Sequence, residues 1–231
     1  MKILSIDSSS VAASAAVAAD GKIISEVFAN NGFTHSKTLM NVVKNAIDLS
    51  GVSLDEIDLI ACVTGPGSFT GVRIGVACAK GLAFTNEIPC IGISTLETFP
   101  YNISCIEGTV CGIMDARCQQ VYTASFEIKD SLVSRITPDR AISIDSLIED
   151  FGSYSGRIYL LGDGASLVKN KAQDSRIILV NSNNLYQRAS SAALAAFSKD
   201  KNDYITPDRL VPSYLRLPQA ERELNNKKLK G

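Results

Sequence analysis

The stretch "TGPGSFTGVRIGVACAKGLA", Thr64 to Ala83, decides how the chain is read. It follows the apolar run "IDLIACV", Ile57 to Val63, breaks on Gly65, Pro66 and Gly67, and enters a segment dense in small residues. A strand, a glycine turn and a helix start form the arrangement that presents backbone amides to an anion. Residue types exclude two loops of that kind. A Walker A loop needs a lysine after its last glycine to reach the β and γ phosphates, and here Val72 follows Gly71. The dinucleotide fingerprint G-x-G-x-x-G needs a third glycine where Thr70 stands. What remains is a nest of amides with Ser68, Thr70 and Arg73 beside it, suited to an anion or simply to aiming a helix.

The helix itself, expected over Thr70 to Phe84, carries Gly71, Gly75, Ala79 and Ala83 at every fourth position, one slowly winding row of minimal side chains. Another backbone can approach closely there. The preceding helix, expected over Ser36 to Leu49, spreads Leu39, Met40, Val42, Val43, Ala46, Ile47 and Leu49 over about half its circumference at roughly 100° per residue. So wide an apolar arc exceeds what one internal contact needs. The pair is therefore expected to meet another subunit through Leu39, Met40, Val43, Ile47, Gly71, Val72, Gly75, Ala79 and Ala83, with Gly75 the place where a bulky residue would block the contact.

Outward from this pair, Lys2 to Ile6, Ala12 to Ala19 and Lys22 to Ala29 read as strands, the last two joined by the Asp20-Gly21 hairpin turn. Ser53 and Glu56 form a capping box before the strand Asp58 to Val63, and Cys90 to Ile93 supplies another strand. The second half repeats the order: strands Thr109 to Met114, Val121 to Ile128 and Leu132 to Ile136, helix Ile144 to Phe151, strand Arg157 to Leu161, helix Ala165 to Lys171, strand Ile177 to Val180 and helix Ala189 to Phe197. Two such units predict a duplicated α/β architecture of two lobes, each a mixed sheet flanked by helices, with residues 1–103 in the first and 104–231 in the second. A hinge is expected near Pro100 to Gly108, and the final segment is expected to pack back on the first lobe.

Composition narrows the function. A net charge of -1, with a basic group only at Lys227, Lys228 and Lys230, lacks the footprint of a protein that grips nucleic acid alone. The six cysteines contain no C-x-x-C pair and several sit in apolar runs, as buried thiols of a reducing cytoplasm would. A single histidine, His35, excludes two-histidine metal sites; at the start of an amphipathic helix it is expected to cap or lie at the surface. Asp7-Ser8-Ser9-Ser10 closes the first strand, and Asp7 and Ser9 either face a phosphate or satisfy the turn's own backbone. "MDARCQQVYTASF", Met114 to Phe126, brings Asp115 and Arg117 to a strand end, as ligand contacts in an interlobe cleft or as a salt-bridged turn. "LGDGA", Leu161 to Ala165, is a further glycine-flanked strand end.

Taken together, "ILSIDSSS", "HSKTLMNVV", "TGPGSFTGVRIGVACAKGLA", "GISTLE", "MDARCQQVY", "LGDGA" and "PSYLR" resemble, in order and spacing, the TsaB (YeaZ) family over nearly the whole chain. The resemblance implies an actin-like (ASKHA) fold and a part in forming N6-threonylcarbamoyladenosine beside the anticodon of tRNAs that read codons beginning with A. It implies a noncatalytic subunit, with no cofactor of its own, that activates the TsaD transferase. TsaE, an ATPase, joins the complex; tRNA is met only through it, and the helix pair forms a homodimer when TsaD is absent. A cytoplasmic protein without membrane contact is expected from the cysteine pattern and from the lack of any apolar run near the roughly 18 residues a membrane helix needs. Whether ATP or ADP sits at the partner interface stays open. The serines after Asp7, where the family commonly has threonine, and Cys118-Gln119-Gln120, where it has a more charged run, set nucleotide contact in the cleft in doubt. A stand-alone ATP-binding or hydrolysing protein of this fold, and a glycoprotease-like peptidase, are the rival readings.

Overall fold

The structure, a computed structural model, describes residues 1–216. The basic residues Lys227, Lys228 and Lys230 lie outside the described residues. The chain opens with β1 (Lys2–Asp7), β2 (Ala13–Ala19) and β3 (Lys22–Ala29), then α1 (His35–Ser50), β4 (Leu59–Gly65), α2 (Phe69–Thr85) and β5 (Cys90–Ser94). A short α3 (Thr95–Thr98) runs into a 3-10 turn, Phe99–Asn102. The second unit holds β6 (Gly108–Asp115), β7 (Gln120–Lys129), β8 (Leu132–Arg135), β9 (Arg140–Ser143), α4 (Ile144–Asp150), β10 (Ile158–Leu161), α5 (Ala165–Lys171) and β11 (Ile177–Leu179), followed by α6 (Ala189–Phe197).

The two sheets repeat one topology. The first runs β3-β2-β1-β4-β5 and the second β8-β7-β6-β10-β11, with β9 paired to β7. In each, the first three strands are antiparallel and the next two parallel to the first strand. The hairpins repeat as well: Asp20-Gly21 and Asp130-Ser131 both have positive φ, the geometry that matches strand twist in a tight turn.

Alternation along β1 explains how the first sheet is covered. Leu4 and Ile6 face a core shared with Leu39, Val42, Val43 and Ala46 of α1 and Val72, Val76, Ala79 and Ala83 of α2. Ile3 faces the other way, onto Ala192, Ala193, Ala195 and Ala196 of α6. Residues with period two on the strand and small residues on the helix allow this second, close layer. Ser14 Oγ accepts from the Ala189 amide, and Glu26 accepts from the amide and hydroxyl of Ser190, so the first sheet also satisfies the orphan groups at the start of α6. The helix Ala189–Phe197, expected in the second lobe, thus lies on the first sheet.

The second sheet is covered by α4 and α5 on one face, through Leu147, Phe151, Ala165 and Val168. Leu96, Phe99 and Ile103 cover the other. The segment expected as a hinge, Pro100 to Gly108, therefore begins as core: Pro100 and Ile103 are buried. The end of the described chain returns to the first lobe. Ile205 pairs with Cys90 in an isolated bridge, Leu210 is buried in the first core, and the Ser213 amide donates to Thr64 O at 2.8 Å.

Candidate functional site

The first lobe's turn is built from an aspartate that never meets solvent. Asp7 ends β1, is 1% exposed, and accepts the Ser9 amide on Oδ1 at 2.8 Å. Its Oδ2 has no partner, and burial pushes the carboxyl up to about 6. Over this turn lies the loop Pro66 to Ser68. The Ser68 amide donates to Ser9 O at 2.7 Å, and a side chain at Gly67 would place Cβ 2.1 Å from the same oxygen. Ser68 Oγ caps α2 by accepting the Gly71 amide at 3.1 Å.

These contacts redirect the anion reading. Asp7 is sealed beneath the loop, Ser9 Oγ is buried and unpartnered at the edge of the cleft, the Ser68 amide is spent on Ser9 O, and the exposed Ser68 hydroxyl accepts the Gly71 amide. Arg73 stacks its guanidinium 3.7 Å above the Phe69 ring and donates to Tyr214 Oη at 2.8 Å. Thr70 alone of the expected group is exposed without such a partner. The Ser68 amide holds the protein's own backbone.

The second lobe repeats the turn and leaves it open. Asp115 ends β6 and accepts the Arg117 amide at 2.7 Å, the counterpart of the Asp7–Ser9 turn. Arg117 also pairs with Asp115 Oδ2 at 3.5 Å, the salt-bridged turn among the two readings of this motif. Gly162, at φ +103, would place a Cβ 2.0 Å from Ile113 O, and the Gly164 amide donates to that oxygen at 3.1 Å. Asp163 between them accepts the Asp115 amide at 3.0 Å and, across the lobes, Ser10 Oγ at 3.4 Å. Its carboxyl faces the cleft, reachable by water but walled by protein, and this confinement raises its pKa.

Between the lobes lies a cleft of about 480 Å³. Ser9, Ser10 and Gly67 line one side, Asp115, Tyr122 and Asp163 the other. The third wall, Ser213 to Arg216, was marked in sequence only as part of a resembling motif; Arg216 stands 5.8 Å from the Tyr122 ring and Phe69 and Tyr214 stack 5.0 Å apart. Lys80 Nζ donates to the carbonyls of Asp208 and Leu210, so this strap is fixed along α2 as well.

His35 neither caps nor lies free at the surface. It is half-buried, its Nε2 stands 2.7 Å from Ser10 O, and Nδ1 is buried without a partner. Of the six cysteines, Cys62, Cys90 and Cys111 are buried, Cys78 is intermediate, and Cys105 and Cys118 are exposed. Among the described residues, no three His, Cys, Asp or Glu side chains are grouped to hold a metal, and no helix is long and apolar enough to cross a membrane.

The face expected to meet a partner must be redrawn. Leu39, Val43, Val72, Ala79 and Ala83 are at most 2% exposed, packed in the first core. Gly71 and Gly75 are spent on the β1 turn: a Cβ at Gly71 would lie 2.1 Å from Ser8 O, and one at Gly75 would lie 2.7 Å from Ser8 Oγ. The close backbone approach inferred from the small-residue row is real, but its partner is the chain's own Ser8. Of the expected residues, Met40 is 54% exposed and Ile47 is partly buried. Beside them on α2, Ala77, Gly81 and Phe84 are exposed and Ile74, Cys78 and Leu82 partly so. Cys78 Sγ lies 3.2 Å from Met40 Sδ, which joins the two helices into one outer surface, and a Cβ at Gly81 would meet nothing within 4 Å. Sequence periodicity missed this row because it lies one position round the helix from an equally small and apolar one.

Comparison with known proteins locates the chain. A family model described as TsaD, tRNA N6-adenosine threonylcarbamoyltransferase, matches residues 22–221. The tRNA threonylcarbamoyladenosine biosynthesis protein TsaB of Bacillus subtilis (strain 168) is 31% identical over 224 residues, 96% of each chain. That of Escherichia coli (strain K12) is 30% identical, covering 98% of this chain and all of that one. The chain belongs to the TsaB (YeaZ) family. A solved structure from Pseudomonas aeruginosa, described as similar to peptidase YeaZ, shares the fold at TM-score 0.81 and 24% identity, over 93% of this chain and 99% of that one. TsaB membership accords with the two repeated sheets as a duplicated fold, whose interlobe cleft Gly67 lines on the first-lobe side.

Proposed function

We propose that this chain serves tRNA threonylcarbamoyladenosine biosynthesis in the cytoplasm as a noncatalytic subunit, docking a TsaD-type threonylcarbamoyltransferase on the outer face of α1 and α2. The carrying observation is that face: Met40, Ala77, Gly81 and Phe84 present exposed apolar or minimal surface, bordered by Ile74 and Cys78, which are packed in part against the first core. Such surface favours burial against a partner, at about 25 cal/mol per Å² removed from water. Near full-length similarity to proteins named TsaB supports the pathway, and a family model of the transferase supports its partner as a relative of similar build. A net charge of -1 fits a subunit that reaches tRNA through the complex. In this reading the same face pairs two copies when the transferase is absent, and a TsaE-type ATPase joins the assembled pair.

The first lobe's geometry speaks against the chain acting alone on ATP. The loop Pro66 to Ser68 occupies the turn where phosphates would be cradled, so nucleotide in the assembly is assigned to the partner interface. A peptidase reading lacks a nucleophile and base: His35 Nε2 is engaged by a backbone carbonyl and Asp7 by a backbone amide.

The test is reconstitution. The chain, the transferase and the ATPase are mixed, threonylcarbamoyl transfer to tRNA is followed, and each component is omitted in turn. Activity should require this chain and should fall when Phe84→Glu, a change at a residue 78% exposed, weakens association measured by calorimetry. Full activity in its absence, or association untouched by Phe84→Glu, overturns the proposal.

A further inference from the structure

We propose that Ser8 and His35 are positioning residues that tie the docking helices to the interlobe cleft, so that cleft closure and binding at the outer face of α1 and α2 are coupled. The inference rests on the docking function proposed above and adds its regulation.

Three consecutive residues of one turn reach both helix starts. Ser8 Oγ donates to Gly71 O in the first turn of α2 at 2.9 Å. Ser9 O accepts the amide of Ser68, the residue whose hydroxyl caps α2. Ser10 O meets Nε2 of His35, the first residue of α1. These links have no slack, because Gly67, Gly71 and Gly75 lie so close to the turn that a methyl on any of them would collide with Ser8 or Ser9. Close-packed groups transmit displacement instead of absorbing it.

The same turn makes the cross-cleft contact. Ser10 Oγ and Asp163 Oδ2 are 3.4 Å apart, a long hydrogen bond over an open cleft, and Asp163 is fixed to its own lobe by the Asp115 amide. Closing the cleft shortens that bond and pulls the turn; the turn then moves the helix starts. A second observation marks the relay as able to rearrange. Of the seven buried side-chain N or O atoms without a partner among the described residues, three belong to it: Asp7 Oδ2, Ser9 Oγ and His35 Nδ1. Natively buried polar atoms are rarely unpaired, so a cluster of them on one path points to another arrangement in which they find partners. Linkage makes the effect reciprocal: a partner that favours one helix position favours the matching cleft position by the same factor.

Hydrogen exchange by mass spectrometry on the full chain tests this without a partner. Asp163→Ala sits in the other lobe and touches neither helix, yet it should speed exchange in peptides spanning the starts of α1 and α2 by about threefold or more. Ser10→Ala removes the same contact from the first lobe and should do likewise, which guards against a folding defect in either variant. In a Ser8→Ala, His35→Ala background the added Asp163→Ala should leave the helix peptides unmoved. Changes confined to the second lobe and cleft lips, or an undiminished response in that background, overturn the coupling. With the transferase present, Asp163→Ala should shift affinity about threefold to tenfold. Absence of any binding by the unaltered chain would sink the docking function while the exchange result still decides the coupling.

Discussion

Alanine at Gly75 and alanine at Gly81 should move stability in opposite directions, although both positions are interior to α2. Replacing glycine by alanine within a helix is worth about 1 kcal/mol, through lost freedom of the unfolded chain. At Gly81 the new methyl meets nothing within 4 Å, so Gly81→Ala should keep most of that gain. At Gly75 it would stand 2.7 Å from Ser8 Oγ, with Cys62 Sγ at 3.9 Å behind. Ser8 can yield only by turning away from Gly71 O, which forfeits a 2.9 Å hydrogen bond worth about 1 kcal/mol. Ser8 is 1% exposed, so the turned hydroxyl stays unpaired and costs about 1–3 kcal/mol more. Set against the propensity gain, Gly75→Ala should lose about 1–3 kcal/mol, and the two variants should differ by about 2–4 kcal/mol. With a urea dependence of about 2 kcal/mol per molar, their unfolding midpoints separate by about 1–2 M.

Calorimetry with the transferase completes the test. Gly81→Leu should leave the urea midpoint near that of the unaltered chain and weaken docking about tenfold or more, since the added side chain fills space that only a partner can occupy. Equal stability of the two alanine variants would refute the close approach of α2 to Ser8. A folded Gly81→Leu variant with undiminished affinity would refute the outer face as the docking surface.

Asp7→Asn tests the buried carboxyl by pH: with a native pKa near 6 against an ordinary value of 3.8, the native state holds a proton that the unfolded chain releases. The unaltered chain should therefore lose about 3 kcal/mol relative to the variant as pH rises from about 4 to 7, with no such divergence below pH 4; parallel stability curves would contradict the burial of Asp7. Arg73→Ala removes the stack on Phe69 and the bond to Tyr214, and should speed proteolysis within Ile205 to Arg216 while costing about 1 kcal/mol; an unchanged cleavage rate would mean the strap is held elsewhere. A thiol reagent should modify Cys105 and Cys118 first and leave Cys62 and Cys111 untouched until unfolding, because both are buried and burial pushes Cys111 up to about 12.

Elements with a strong period were legible in the sequence. α5, α6 and β3 match their expected spans, and the Asp20-Gly21 and Ser53–Glu56 signals mark a real hairpin and a real capping box. What escaped is structure whose hydrogen bonds lie far away in the chain. β9 is four residues without alternation and exists because β7 offers it an edge. The strap has no period at all; Lys80, Arg73 and Thr64 hold it from more than a hundred residues away. The Ala-rich pattern of α6 specifies a helix but not which sheet it covers, and that choice was settled by Ser14 and Glu26 at its start. The outer row of α2 was illegible for a different reason. The helix is apolar or small on nearly every side, and a periodic pattern cannot rank two equivalent rows when only one is needed by the core.

The duplication itself argues for what the cleft has become. Both lobes end their first strand in an aspartate that accepts an amide two residues on, and a glycine at positive φ ends β4 and immediately follows β10. The connections that follow differ. After β10, Gly162 to Gly164 lead straight into α5 and leave Asp163 facing the cleft. After β4, the equally short Pro66 to Ser68 instead fold over Ser9 and seal Asp7. Filling one cradle takes up the Ser68 amide, yet it adds the Ser9–Ser68 contact and draws the start of α2 against the turn. The same step that fills the first lobe's turn therefore gives it a rigid connection to the helices. If that trade is the reason for the loop, shortening it by deleting Pro66 should open the cleft and loosen α2 together, seen as raised exchange in the peptides of both; a loosened helix over an unchanged cleft would separate the two effects and refute the argument.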